Sequence, residues 1–154
     1  MDPNERLKPI PHEFRHCVPL QTRFGDFDTF GHINNNVYMA FFDLGKVSYF
    51  SSFTGGVFSP KTVAAVVVNI NVDFLAPTQM GEPIEVVTMV THIGERSITV
   101  YQRIQNSETG EVKTQATTIL AGFDVATQSS APLDETLVKA IVKFDNPELL
   151  HKQY

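Results

Sequence analysis

Between residues 35 and 53 apolar side chains recur at helical spacing, with Val37, Tyr38, Phe41, Phe42, Leu44, Val47, Tyr49, Phe50 and Phe53 broken only by the charges of Asp43 and Lys46. A helix with so little surface suited to water is expected to be enclosed by protein. Gly55-Gly56 supplies the reversal that ends it, because glycine takes the left-handed conformation at low cost. Four strand-like segments follow without another helix. Residues 62–74 begin as a continuous Val/Ala run, which predicts a central strand buried on both faces, and alternate later. Pro77 and Gly81 mark a turn, and residues 83–93 form the next strand, with Ile84, Val86, Thr88 and Val90 on one face. Gly94-Glu95 reverses the chain, after which residues 96–105 alternate: Ile98, Val100, Gln102 and Ile104 point one way, Tyr101 and Arg103 the other. Residues 106–111 read as a hairpin turn and 112–123 as a returning Thr-rich strand. Residues 128–131 are a short linker. Residues 134–144 form an amphipathic helix with Leu137, Val138, Ile141 and Val142 on its apolar side.

Ahead of the long helix, residues 14–24 read as a first strand, and residues 1–11 as a polar, proline-punctuated, flexible arm. The order is strand, long apolar helix, four strands, amphipathic helix. Nothing but one antiparallel sheet is large enough to cover the first helix. The expected fold is therefore α+β: a five-stranded antiparallel sheet wrapped around a long central helix, plus a C-terminal helix, in a single domain over residues 12–154.

Composition narrows the function classes. With 154 residues, 42% hydrophobic and 19% charged, the chain is an ordinary globular protein long enough to bury a core without disulfides. The net charge of −5, and the scatter of its Lys and Arg, give no nucleic-acid footprint. No apolar run approaches the roughly 20 residues of a membrane span, and the N-terminus lacks the apolar core of a signal peptide. With the single Cys17 excluding an internal disulfide, a cytoplasmic setting is expected. His12 and His16 are poor metal ligands, since residues four apart converge only on a helix, and are read as the solvent face of a strand; no metal site is expected. Lys61, Lys113 and Arg96 are weighed as solvated residues, and Asp43 and Lys46 as an intrahelical pair against substrate contacts.

No G-x-S-x-G elbow, P-loop or G-x-G-x-x-G occurs, and Cys17, in a strand with nothing to activate it, reads as a quiet packed thiol. What remains is residues 23–38, RFGDFDTFGHINNNVY. Asp26 and Asp28 stand among Phe24, Phe27 and Phe30, an apolar setting that improves carboxylate basicity. Gly31 permits close backbone approach. Asn34 or Asn35 is a favourable N-cap for the long helix, whose first N–H groups lack intrahelical partners. Those amides suit a developing oxyanion, and a carboxylate six or seven residues upstream can fold back toward them.

The string G-H-I-N-N-N-V-Y, preceded by D-F-D-T-F, resembles the D-x-D-x-x-G-H-V-N-N-x-x-Y motif of hotdog-fold acyl thioesterases of the 4-hydroxybenzoyl-CoA thioesterase superfamily. Phe42 to Lys46 is similar to that family's F-E-E-A-R, and Asp73 to Pro77 with Gly81 to Val86 to its D-F-x-x-P…G-D-x-[IL]-x-V. The resemblance covers residues 14–123. It implies that Asp28 is the catalytic carboxylate, as nucleophile or as general base on water, and that Asn35, at the helix start, is its catalytic partner through its backbone N–H. It implies that Gly31, His32 and Asn34 shape the substrate loop and that Tyr38 lines the acyl pocket. Arg96 and Ser97 fall where relatives contact coenzyme A or the partner subunit. The substrate implied is an acyl-CoA or acyl carrier protein thioester, with no cofactor beyond the coenzyme A of the substrate, and the assembly a homodimer or homotetramer with sites between subunits. Asp26 is weighed as loop-stabilising. Two other readings stand: a non-catalytic acyl-CoA-binding hotdog domain, against which the retained carboxylate speaks, and an enoyl-thioester hydratase, which pairs acid and histidine in another pattern.

Overall fold

The computed structural model describes residues 2–56, 58–59 and 61–152. Helix α1, Asn35–Ser51, is the long apolar segment. It packs against an antiparallel sheet of six strands rather than five: β1 Cys17–Leu20, β2 Ala65–Phe74, β3 Ile84–Ile93, β4 Ser97–Asn106, β5 Val112–Asp124 and β6 Ser129–Ser130. The order across the sheet is β1-β3-β4-β5-β2, with β6 paired to β5. Helix α2, Glu135–Phe144, follows, its Asp134 N-cap side chain accepting the Thr136 N–H at 2.7 Å. No described helix is long and apolar enough to cross a membrane.

The sixth strand comes from the segment expected to be a linker. Phe123 and Asp124 pair with Ser130 and Ser129, and the chain passes so close over Gly122 that a Cβ there would lie 2.2 Å from the Ala131 carbonyl oxygen. Only glycine allows that crossing. The first strand is shorter than the sequence suggests. Pro19 gives the ladder no N–H, and after Leu20 the chain turns into a 3₁₀ turn at Phe24–Asp26.

Strand β2 departs furthest from expectation. Its valine run predicts a central strand, yet it is the edge of the sheet, paired to β5 alone, with Val66, Val67 and Val68 exposed by 42%, 49% and 59%. An apolar run reports what covers a strand's faces, not its place in the order. The helix differs in a related way. Tyr38, Phe42, Gly45, Lys46, Tyr49 and Phe50 form a buried stripe, but Leu44 and Val47 are exposed, because the sheet covers one side of α1 only.

Strand β4 follows its alternation. Ile98, Val100, Gln102 and Ile104 are fully buried toward α1, and the Gln102 amide donates to the Phe42 carbonyl and the Thr88 hydroxyl, each at 3.0 Å. This polar strut needs close approach: a Cβ on Gly45 would stand 2.7 Å from Gln102 Nε2. One apolar cluster joins the second half of α1 to α2 through Tyr49, Phe50 and Ile141, and another joins its first half to β3–β5 through Phe42, Val86 and Ile104.

Both N-terminal histidines face inward instead of to solvent. His16 Nε2 lies 3.1 Å from Ser48 Oγ, with its ring edge-on to Tyr49; burial, which favours the neutral ring, lowers its pKa although the Ser48 contact works the other way. His12 Nε2 lies 3.0 Å from the buried carboxylate of Asp145, near enough for an ion pair although not aligned as a hydrogen bond. Arg6 reaches Asp73 at 3.1 Å and Lys8 Nζ reaches Thr117 Oγ1 at 2.9 Å, so this stretch lies along β2 and β5. Among the described residues no cluster of three or more His, Cys, Asp or Glu side chains could hold a metal.

Candidate active site

The residues between β1 and α1 form a small hairpin. Phe27 pairs with Ile33, the Asp28 N–H donates to the His32 carbonyl at 2.8 Å, and the Gly31 N–H donates back to the Asp28 carbonyl at 3.0 Å. Three residues, Thr29, Phe30 and Gly31, make the tip. Gly31 has φ = +74°, the left-handed closing position of a three-residue hairpin loop, which any side chain would strain.

The two acids take different parts in this geometry. Asp26 is buried: its Oδ2 accepts the Arg23 N–H at 2.7 Å, its Oδ1 faces the Arg23 guanidinium at 3.4 Å, and its carbonyl accepts the Asn34 N–H at 2.9 Å. It holds the base of the hairpin to the start of α1. Asp28 is exposed. Its Oδ1 accepts the N–H groups of Phe30 at 2.9 Å and His32 at 3.2 Å, while no described group bonds its Oδ2. One oxygen thus fixes the side chain and leaves the other presented to solvent. Phe24 and Phe30, which flank it in the sequence, are 87% and 82% exposed.

Helix α1 begins directly after the hairpin. Asn34 is the N-cap, its side chain accepting the Asn36 N–H at 3.3 Å and its carbonyl the Val37 N–H at 2.9 Å. Among the described residues nothing accepts the Asn35 N–H, which remains an open donor at the positive end of the helix. A cleft of about 390 Å³ lies at this end of α1, lined by Arg23, Asp26, Asn36, Val37, Ala40 and Phe41. Asp26, rather than Asp28, contributes to its wall.

The other sequence-predicted residues divide. Gly31, His32 and Asn34 belong to the hairpin and cap. Tyr38 is buried, with its hydroxyl 2.8 Å from Thr78 Oγ1 and its ring against Phe74, so its side chain faces the sheet. Burial raises its pKa, and Thr78 and Lys113 counter this only in part. Arg96 lies in the turn between β3 and β4 and Ser97 opens β4; Arg96 Nη1 reaches Ser130 Oγ at 3.4 Å. The Asp28 hairpin lies at the opposite end of β3, about 30 Å away for ten extended residues. One chain does not bring these groups together.

The sequence gives no hint of several residues that hold this region. His32 pairs with Gln79 in the turn before β3, whose N–H donates to Glu82 Oε2 at 2.7 Å. Lys113, expected to be solvated, is instead buried against Glu82 and Glu111. Only the Gly81-Glu82 turn spacing marked Glu82; Lys113 lies 31 residues on. The Asp43–Lys46 pair forms within α1 at 3.3 Å, as its spacing predicts. Cys17 is exposed rather than packed. Partial desolvation, then the Glu85 carboxylate that accepts its S–H at 2.7 Å, push it up to about 12, so it is no nucleophile at neutral pH.

The profile of the Thioesterase-like superfamily matches residues 22–141. No curated protein sequence shows a significant match. Among solved structures, the chain is similar to a thioesterase from Thermus thermophilus described in complex with coenzyme A and zinc, with 25% identity over 86% of this chain and 95% of the other and a TM-score of 0.75. It is also similar in fold to a 1,4-dihydroxy-2-naphthoyl-CoA thioesterase from Synechocystis, with 20% identity over 82% and 94% of the two chains and a TM-score of 0.71.

Proposed function

Since the chain belongs to the thioesterase-like superfamily and has the hotdog fold, we propose that it hydrolyses acyl thioesters of coenzyme A or of an acyl carrier protein to free acid and thiol. The observation that carries the reading is the divided Asp28 carboxylate: one oxygen tied by two amides, the other bonded by no described group, on a hairpin leading directly into a helix start whose Asn35 N–H no described group accepts. Asp28 Oδ2 attacks the thioester carbonyl, expelling the thiolate and leaving an acyl anhydride for water to cleave, or else takes a proton from the attacking water. The Asn35 N–H receives the charge that develops on the carbonyl oxygen. His32 and Asn34 hold the loop and cap, and the Phe24 and Phe30 rings suit an apolar acyl group.

Coenzyme A in the Thermus relative supports an acyl-CoA substrate here, which would itself bring the coenzyme; no further cofactor or metal is proposed. The predicted assay result is thiol release from an acyl-CoA panel spanning short, long and aromatic acids, at a rate unchanged by a chelator. Absence of turnover on the whole panel, and on carrier-protein thioesters, would sink the reading.

The functional unit proposed is a homodimer, alone or within a homotetramer, in the cytoplasm. Support comes from β2, an edge with three successive exposed valines and no charge before Asp73. Such an edge in a monomer invites pairing with another chain. A second copy on it continues the sheet across the interface and offers its Arg96–Ser97 segment a route to a neighbouring site. Sedimentation should give at least a dimer, and Val67→Lys should shift the protein toward monomer; a monomeric wild-type protein would refute this assembly.

A further inference from the structure

We propose that Lys113 and Glu82 are positioning residues for Asp28, forming a brace that reaches the carboxylate through Gln79 and His32; the inference rests on the thioesterase reading above. The Lys113 side chain is 3% exposed, and its ammonium donates to Glu82 Oε1 at 2.7 Å, to the Pro77 carbonyl at 3.2 Å and to the Glu111 carboxylate. Its three donors thus have three acceptors. Glu82 extends the contact: Oε1 also accepts from Asn106 Nδ2 at 3.2 Å, and Oε2 accepts the Gln79 N–H at 2.7 Å. Burial alone would push the Glu82 carboxyl up, but bonds from Lys113, Gln79 and Asn106 outweigh it and hold it below the ordinary carboxylate range. Lys113 is raised above the ordinary lysine range by Glu111 and Glu82, against its own burial. Both groups therefore remain charged at neutral pH.

From Gln79 the connection passes to the hairpin. Gln79 pairs with His32, and the His32 N–H donates to Asp28 Oδ1. The same turn is held from α1, where Tyr38 meets Thr78 one turn beyond the open Asn35 N–H. The reactive carboxylate and the oxyanion donor are thereby referenced to a single anchor. A buried ion pair is not needed for stability, because well-packed apolar residues of equal volume serve as well. What the pair adds is a fixed place for the polar groups it holds, and catalysis is sensitive to displacements of about 1 Å.

Lys113→Met and Glu82→Gln test the brace, the second preserving shape if the first folds poorly. Each is expected to lower kcat by about ten- to a hundredfold, with KM changed by less than about twofold. In an Asp28→Asn background neither should lower the residual rate further, since each acts through the group already removed. Amide exchange at Phe30 and His32 should accelerate, while β3 and β4 amides stay protected. Folded variants with wild-type kcat, or losses of equal factor with and without Asp28, would overturn the proposal. If the wild-type protein hydrolyses no thioester, the enzymatic reading fails, and exchange at Phe30 and His32 still decides whether the brace exists.

Discussion

Asp28→Asn is expected to fold with unchanged thermal stability and to lose hydrolysis by at least about a hundredfold, the scale on which removal of a proton-transfer or nucleophilic group acts. The bonding of the carboxylate makes the two halves of this result separable. Oδ1 of an asparagine can still accept the Phe30 and His32 N–H groups, so the hairpin keeps its tip. The second oxygen, which no described group bonds, becomes an amide nitrogen able neither to attack a carbonyl nor to accept a proton. Asp26 behaves in the opposite sense. Its carboxylate is engaged by the Arg23 N–H and guanidinium, so Asp26→Ala leaves a donor unpaired and destabilises the region. Thiol release and melting temperature, measured on both variants, decide between the two acids. Turnover near the wild-type value in a folded Asp28→Asn protein would remove Asp28 from the mechanism.

How far the sequence reveals these features follows from the range of the interactions that create them. The Asp28 hairpin is local: Asn34 at a helix start is readable in the string itself, whereas Gly31, read there as permitting close approach, has nothing within 4 Å of a Cβ built on it and is needed instead for its left-handed backbone. The buried face of β4 is equally legible, since alternation alone separates Val100 and Gln102 from Tyr101 and Arg103. The edge position of β2 is not, because a run of valines registers apolar surroundings without saying whether they come from this chain. Lys113 looks solvated for a similar reason. Its partners Glu82 and Glu111 are ordinary surface residues in one dimension, and only the pairing of β5 beside the β2–β3 turn brings them over the Lys113 ammonium and buries it. Asp145 likewise reads as the residue after a helix, with nothing nearby to announce its long-range role.

That role leads to the largest stability effect expected. Asp145 caps the end of α2, and its buried Oδ2 accepts the Tyr49 hydroxyl at 2.5 Å and the Val90 N–H at 2.8 Å, while Oδ1 faces His12. One side chain thus joins α1, β3, α2 and the stretch before β1. Burial first, and then the Asp145 charge, push the Tyr49 hydroxyl well above its ordinary range, so it remains a donor. Asp145→Ala leaves the Tyr49 hydroxyl and the Val90 N–H without their acceptor and removes the carboxylate facing His12 at once, where solvent cannot replace it. Breaking a buried charged network in this way costs about 3–5 kcal/mol, a fall on the order of 10 °C in melting temperature for a chain of this size. Tyr49→Phe removes only one bond and should cost about 1–2 kcal/mol. Asp145→Asn should fall between them, because the amide oxygen can still accept one N–H or O–H group. Thermal unfolding of the three variants tests the order. An Asp145→Ala protein as stable as Tyr49→Phe would mean that the carboxylate does not join these elements.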